Sequence, residues 1–573
     1  MAADPRSRFG HSGARSAGLT GAEVLAASAL ALLAFTIVAA YLVERSGRTI
    51  APLTILSLSV AAAGTTVGWF RGRVRWQLGE VAAFAGIVAV VLAWLLWLAW
   101  PALLPVGSGA DLTHHLLLID YIERHWRFVH EARIEAYLGE MVHYTPGSHL
   151  LAALAGAWTG TDGLHAVYPV VAWSVALKAG FVFLIALRLM PRDVPRIPLA
   201  VTGVLLLFLP SAYFIGSFAH DSFFAQVVAE LFAVGMWWAL VVWDERPSNS
   251  AMGFFALAGA ASFLTWPVWI GPPLVVLVTL ALAHDGLTAP ERLGHVALGV
   301  VPIAAVAAVY TAGRLAWVGY FRASGAVLRP SPSEFGWWFL LLSAVGMGVA
   351  TARRRGRATA LLVAAIGVQA VTLLAVRGTG AGGSYMALKM VYLAVYALAV
   401  ASALALAAAW QTVVRVTSVG TGGALLRGRA GERLAWALVV LLGVAIARPL
   451  VAAPRPKPVI SEPLALAGQW ARAHVPPACV DYLVADDYTA YWLHLAVLGN
   501  PRMSARTADA DTFVSRAAIV RWILPRGLPF AIADLPALPT DVRGELDVLA
   551  QFGPAAVVKR RGESRCPEEM NRP

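Results

Sequence analysis

The segment Gly107-Ser-Gly-Ala-Asp-Leu-Thr-His-His-Leu places one carboxylate, Asp111, just ahead of two imidazoles, His114 and His115. On a helix, positions 111, 114, 115, 118 and 122 share one face and Asp120 falls opposite. A carboxylate grouped with histidines can act as a general base on a hydroxyl nucleophile. Asp111 with His114 or His115 could also hold a divalent metal, and a mixed Asp/His set suits Mn2+ or Zn2+ better than Mg2+. The plainer alternative makes Asp111 the N-cap of the helix. Further along, Glu140-Met-Val-His-Tyr-Thr-Pro-Gly-Ser-His149 contributes His143, Tyr144 and His149. Tyr-Thr-Pro-Gly reads as a turn before an apolar helix. Its side chains could face the same cavity as Asp111, or tie the loop to an interface.

Other polar residues stand at the ends of apolar runs. His220 and Asp221 are adjacent, and Asp221 could cap the next helix. Arg377-Gly-Thr-Gly-Ala-Gly-Gly-Ser-Tyr385 leads into Lys389. A glycine-rich approach with Arg and Lys suits a lipid-linked phosphate, with snorkelling as the alternative. Arg322 and Arg329 are further candidates for phosphate binding. Lys178 and Glu230 lie inside apolar runs, where charge points to function: they could pair structurally or mark an ion path. Trp266 and Trp269 fit an aromatic belt.

The elements that position these residues are membrane helices. Of 573 residues, 59% are hydrophobic and 14% charged, and mean hydropathy is +0.68. This excludes a water-soluble enzyme and a disordered chain. Apolar runs long enough to cross a bilayer recur. We read thirteen spans, near 22–43, 50–70, 79–104, 165–190, 197–216, 223–243, 251–265, 268–285, 293–318, 336–351, 358–377, 385–410 and 432–453. Trp266-Pro267 and Pro272-Pro273 could make 251–285 one broken helix or a re-entrant pair, although charge favours two crossings. The net charge of +12 sits in short connections, which points to topology and not to nucleic acid. With the N-terminus cytoplasmic, nineteen arginines fall in inside connections and five in short outside ones. The protein is expected in the cytoplasmic membrane, with its C-terminus extracytoplasmic. High Ala, Arg and Gly usage suggests a GC-rich bacterial genome.

Two polar pieces then lie outside: the loop 105–164, within a transmembrane domain 1–453, and a small α/β domain, 454–573. In the latter, strands are expected at Val480–Ala485, Pro529–Leu535 and Ala555–Lys559, with helices near 461–474, 487–497, 510–523 and 540–550. Asp486-Asp487 follows the first strand as a ligand contact or a helix cap. Cys479 and Cys566 could pair in an oxidising compartment or be unrelated thiols.

Asp111-Leu-Thr-His-His, with Tyr144-Thr-Pro-Gly-Ser-His149 after it, resembles the acidic motif and aromatic-Pro-Gly turn of the GT-C superfamily of membrane glycosyltransferases. In the best-known members the acidic loop follows the first span; here it follows the third. The resemblance implies an all-α, GT-C-like polytopic fold with an extracytoplasmic C-terminal domain. It also implies hexosyl or pentosyl transfer from a polyprenyl-phosphate sugar to a glycan, lipid or protein acceptor. Asp111 would then be the base, Lys389, Arg377 and Arg322 the phosphate ligands, and Asp221 an aid to acceptor or metal binding. The rival class is a secondary transporter or lipid-carrier flippase using Lys178 and Glu230.

Overall fold

The computed structural model describes residues 18–69, 74–107, 112–128, 135–313, 327–379, 381–417, 428–500 and 527–562, with positions 315, 319, 325, 519, 522, 564 and 566. Asp111 and Arg322 lie outside the described residues.

Each expected apolar stretch is helical. In chain order the helices are α1 (Gly21–Arg45), α2 (Pro52–Trp69), α3 (Leu78–Ala99), α4 (Leu112–His125), α5 (Glu135–Leu138), α6 (Gly147–Thr159), α7 (Gly163–Leu189), α8 (Arg196–Leu206), α9 (Ser217–Ala219), α10 (Phe224–Glu245), α11 (Asn249–Thr265), α12 (Gly271–Leu282), α13 (Ala289–Gly313), α14 (Pro332–Phe335), α15 (Trp337–Ala352), α16 (Arg357–Arg377), α17 (Ala381–Thr417) and α18 (Arg429–Ala452). Among the described residues eight are long and apolar enough to cross a membrane: α1, α3, α7, α10, α13, α16, α17 and α18. The other five expected spans fall on α2, α8, α11, α12 and α15, which are shorter. The chain is a multi-pass membrane protein. Its centre is α10, buried along its whole apolar window, while little of α18, at the periphery, is buried.

The break at Trp266-Pro267 follows from proline, which lacks an N–H and pushes the residue before it out of the helical region. Trp266 is extended and a 3-10 turn, Pro267–Ile270, follows. Phe263 packs on Tyr310 and Gly259 on Ile303, while Gly299 meets Leu277, Phe255 and Met252. α13 therefore runs alongside α11 in the same sense and returns along α12, so the chain reverses at the break.

Beyond α18 come α19 (Glu462–His474), β1 (Val480–Leu483), α20 (Asp487–Trp492), β2 (Phe530–Asp534), α21 (Thr540–Gly544), β3 (Leu546–Phe552) and β4 (Ala555–Arg560). The sheet order is β1-β2-β4-β3. β1 and β2 are parallel, and β4 is antiparallel to β2 and β3. The expected helix at 540–550 is corrected: only α21 is helical there, and Leu546–Phe552 is an edge strand. Its residues are mostly exposed and it carries a register shift between Val548 and Ala550. These features blur the alternation by which a strand is read. The expected helix 510–523 lies almost entirely outside the described residues. Cys479 and Cys566 are joined in a disulfide, and Asp486 caps α20 by accepting from the Thr489 N–H at 2.8 Å.

Residues 105–107 join the two parts. Val459 N–H donates to Pro105 O at 3.1 Å and Gly107 N–H to Lys457 O at 3.4 Å. Gly107 has φ +108°, and a Cβ there would stand 2.7 Å from the carbonyl oxygens of Ala219 and His220. Only glycine fits so close a passage.

Candidate active site

The site forms where α4, the turn before α6, the break at Trp266, the start of α10 and the first turns of α17 meet. α4 begins at Leu112, directly after the position of Asp111. Ten of its residues are buried, Asp120 on the opposite face among them. The C-terminal part covers its outer side. Asp120 pairs with Arg472 of α19 and with Arg124 at 2.9 Å. His114 Nε2 is 2.6 Å from the Tyr491 hydroxyl. Tyr137 donates to Gly499 O at 2.7 Å.

His114 and His115 were expected on one face with Asp111, and the structure separates their tasks. His114 turns to Tyr491. His115 turns inward, its Nδ1 2.8 Å from His149 Nε2 with the rings stacked at 5.1 Å. Tyr144 stands edge-on to both, at 4.7 and 5.4 Å. Burial, and then the neighbouring His115, hold His149 well below the usual histidine range, so it is neutral near pH 7. Among the described residues no three His, Cys, Asp or Glu side chains gather to hold a metal.

The turn that brings in Tyr144 is clamped to the break. Thr145 donates to Thr265 O at 2.8 Å, and Tyr310 donates to Tyr144 O at 3.0 Å and to His143 O at 3.2 Å. A Cβ on Gly147 would lie 2.2 Å from Thr265 Oγ1 and 2.9 Å from Leu264 O, so α6 starts against α11 only because residue 147 is glycine. His143 enters this clamp through its carbonyl.

Lys389 is 3% exposed, which rules out snorkelling. Its ammonium lies 3.8 Å from the centroid of Phe223, 4.6 Å from Tyr385 and 5.1 Å from Trp266. Trp266 in turn lies 6.1 Å from Tyr144. Two rings thus separate the lysine from the His115–His149 pair. The expected aromatic belt is corrected here. Trp266 is part of the lysine's cage, and Trp269 is fully buried, donating to Gln226 O at 3.3 Å.

His220 is exposed and sits 3.1 Å from Asp221. Asp221 does not cap α10, whose N-cap residue is Phe223. Ser222, at φ 56°, turns the chain so that Phe223 lies over Lys389. Arg377 ends α16, half-buried, at the same end of the bundle.

Lys178 and Glu230 pair directly, Nζ to Oε2 at 2.6 Å, both wholly buried. Tyr396 donates to the same oxygen at 2.6 Å and Gln226 to the other at 3.2 Å. Sequence reasoning missed Tyr396 and Gln226, and also Phe223, Tyr385, Tyr310 and Tyr491. Aromatic residues in apolar runs carry no periodic mark that distinguishes a cage or a clamp from core.

Glu123, on α4, faces the seam with the C-terminal part. Burial, then the charges of Asp162 and Asp120, push it up to about 8. Asp162 caps α7, accepting from the His165 N–H at 3.0 Å, and it also accepts from Gln469 of α19 at 2.7 Å.

No family model and no curated protein matches the chain. Among solved structures the chain is similar to ArnT from Cupriavidus metallidurans bound to undecaprenyl phosphate, at 16% identity and TM-score 0.45, over 84% of this chain and 98% of that one. It is similar to the oligosaccharyltransferase AglB from Archaeoglobus fulgidus, in complex with an inhibitory peptide and a dolichol-phosphate, at 11% and 0.41, over 80% and 70%. It is also similar to the arabinofuranosyltransferase AftD from Mycobacteria, at 13% and 0.44, over 84% and 40%. The likeness is one of general arrangement and assigns no residue a role.

Proposed function

We propose that this chain is an integral-membrane glycosyltransferase that moves a sugar from a polyprenyl-phosphate donor to an acceptor hydroxyl on the extracytoplasmic side. The observation that carries the reading is the placement of Lys389. A buried ammonium walled by Phe223, Tyr385 and Trp266 stands beside the histidine–tyrosine cluster that opens directly after Asp111. Low local dielectric strengthens its attraction for a phosphate, and the rings hold the cation in place.

Lys389, aided by Arg377 or Arg322, holds the donor phosphate. Asp111 takes the proton of the acceptor hydroxyl as its oxygen bonds to the anomeric carbon. The bond from that carbon to the phosphate oxygen breaks, and polyprenyl phosphate leaves as an anion stabilised by the lysine. One displacement inverts the anomeric centre. Tyr144, His143 and the stacked His115–His149 pair shape the acceptor side, with His220 and Asp221 at its rim. The C-terminal part roofs α4 through Tyr491 and Arg472.

Two independent features support the extracytoplasmic assignment. Arginines gather at the opposite end of the bundle, and the Cys479–Cys566 disulfide belongs to an oxidising compartment. The test is transfer from a synthetic polyprenyl-phosphate sugar by purified Asp111→Asn in detergent. Loss of turnover with donor binding retained supports the assignment, and unchanged turnover sinks it.

A further inference from the structure

The end of the bundle away from Lys389 has a cavity of its own. α16 starts beside it and ends near the candidate site, so roughly 30 Å separates the two, from 1.5 Å of rise per residue. The cavity holds about 300 Å³ and is lined by Arg75, Arg188, Arg192, Arg196 and Arg355. That volume is at the lower end of small-molecule sites.

Its walls are fixed by the chain. Gly21 N–H donates to Arg75 O at 3.0 Å and Arg75 N–H to Leu19 O at 3.1 Å, which stitches the approach to α3 onto the approach to α1. Arg188, from the last turn of α7, divides itself between Glu23 at 2.7 Å and Glu245 at 2.9 Å. Trp238 also donates to Glu23, at 3.3 Å. Those two carboxylates are committed. The third, Glu80, is 3% exposed and stands 4.0 Å from Arg196. Arg355 is likewise 4.0 Å from Glu245. Five guanidinium groups against three carboxylates leave two positive charges in excess.

Two buried polar atoms in the lining have no hydrogen-bond partner: Arg188 Nε, a donor, and Glu80 Oε2, an acceptor. The matching ligand is an anion that still carries a hydrogen. A phosphomonoester has this chemistry as its monoanion, which is populated near and below its second ionisation at about pH 6. Its oxygens accept from guanidinium groups while a P–O–H donates to Glu80. A phosphodiester or a sulfate monoester has no such hydrogen.

We propose that this arginine-lined cavity binds a phosphomonoester, either the headgroup of a membrane lipid or a soluble compound. The proposal does not depend on the glycosyltransferase reading. The experiment is calorimetric titration of the full-length purified protein with phenyl phosphate, alongside dimethyl phosphate. The expected result is saturable binding of phenyl phosphate that persists in Lys389→Met, and no binding of the diester to Lys389→Met. The double variant Arg192→Gln/Arg196→Gln should weaken it at least ten-fold, and Lys389→Met should leave it unchanged. Arg192 is exposed and Arg196 partly so, and the single variant Arg192→Gln serves if the double variant does not fold. Nanodiscs containing phosphatidic acid separate the sources. If they abolish phenyl phosphate binding and phosphatidylcholine discs do not, the ligand is a lipid headgroup; if neither does, it is soluble. Absence of saturable binding, equal binding of the diester to Lys389→Met, or arginine variants that bind like the parent chain would overturn the proposal. So would a loss of binding in Lys389→Met.

Discussion

The bundle buries two lysines in opposite ways. Lys178, wholly buried, meets a carboxylate at 2.6 Å, and Tyr396 and Gln226 occupy that carboxylate's other lone pairs. Lys389, almost as buried, projects among three aromatic rings beside a break in a helix and a clamped turn. In apolar surroundings a charge is retained only where something compensates it. At Lys178 the compensation is complete and internal, which describes a polar staple between α7 and α10. At Lys389 three rings surround the cation at 3.8 to 5.1 Å, beside the histidine–tyrosine cluster. A residue's position within an apolar run therefore says little about its task, and the chemistry of its neighbours says most.

This contrast is open to direct attack. The largest effect should come from Asp111→Asn, with transfer falling on the order of 10² to 10⁴-fold, the usual range for a general base. Steady-state turnover with donor in excess is the measurement, and retained activity would dissolve the site. Lys389→Met should come next, with a loss of about 10² to 10³-fold, the scale seen when one stabilising group is removed from a developing anion. Lys389→Arg should recover part of that loss, because it restores charge. If Met and Arg variants were equally inactive, the lysine would be a packing element and the contrast with Lys178 would fail. Glu230→Gln leaves the buried Lys178 uncompensated and should destabilise the fold by about 3–5 kcal/mol, as breaking a buried pair does. Transfer per folded molecule should be preserved. Full stability with abolished function would instead make the pair an ion path and favour the transporter reading.

The sequence made much of this legible. Long apolar runs and the arginine bias are strong, redundant signals, and the helices fall where hydropathy puts them. The break at Trp266 could be placed from one proline. Asp111-Leu-Thr-His-His and Tyr144-Thr-Pro-Gly drew attention to α4 and to the turn before α6, and the two do converge. What stayed hidden was the partner of each residue. His114 and His115 are neighbours in sequence, yet one serves Tyr491 and the other His149, partners 377 and 34 residues away. Leu546–Phe552 hid for a local reason, since an exposed, bulged edge strand lacks clean alternation. The burial of α4 was unreadable because its cover comes from α19 and the residues beyond it.

That cover offers a gentler version of the same contrast. Tyr491→Phe removes the hydroxyl from the His114 contact and should cost about 1 kcal/mol, the net worth of one hydrogen bond, readable as a small fall in thermal midpoint. Substantial loss of transfer without that fall would move Tyr491 into the acceptor site.

A carboxylate at the seam completes the comparison. Glu230 has a lysine, whereas Glu123 sits beside Asp162 and Asp120 and is pushed up to about 8 from an ordinary 4.5. Its folded value exceeds its unfolded one, so folding takes up a proton between those limits. The stability it contributes is fully present below pH 4.5 and is lost as pH rises through about 8. Glu123→Gln keeps the shape of the protonated acid but cannot titrate. Thermal midpoints followed from pH 5 to pH 9 should fall less steeply for Glu123→Gln than for the parent chain. Parallel curves would mean that the seam tolerates an ionised Glu123, and that Arg472 and Gln469 hold α19 on α4 without help from its proton.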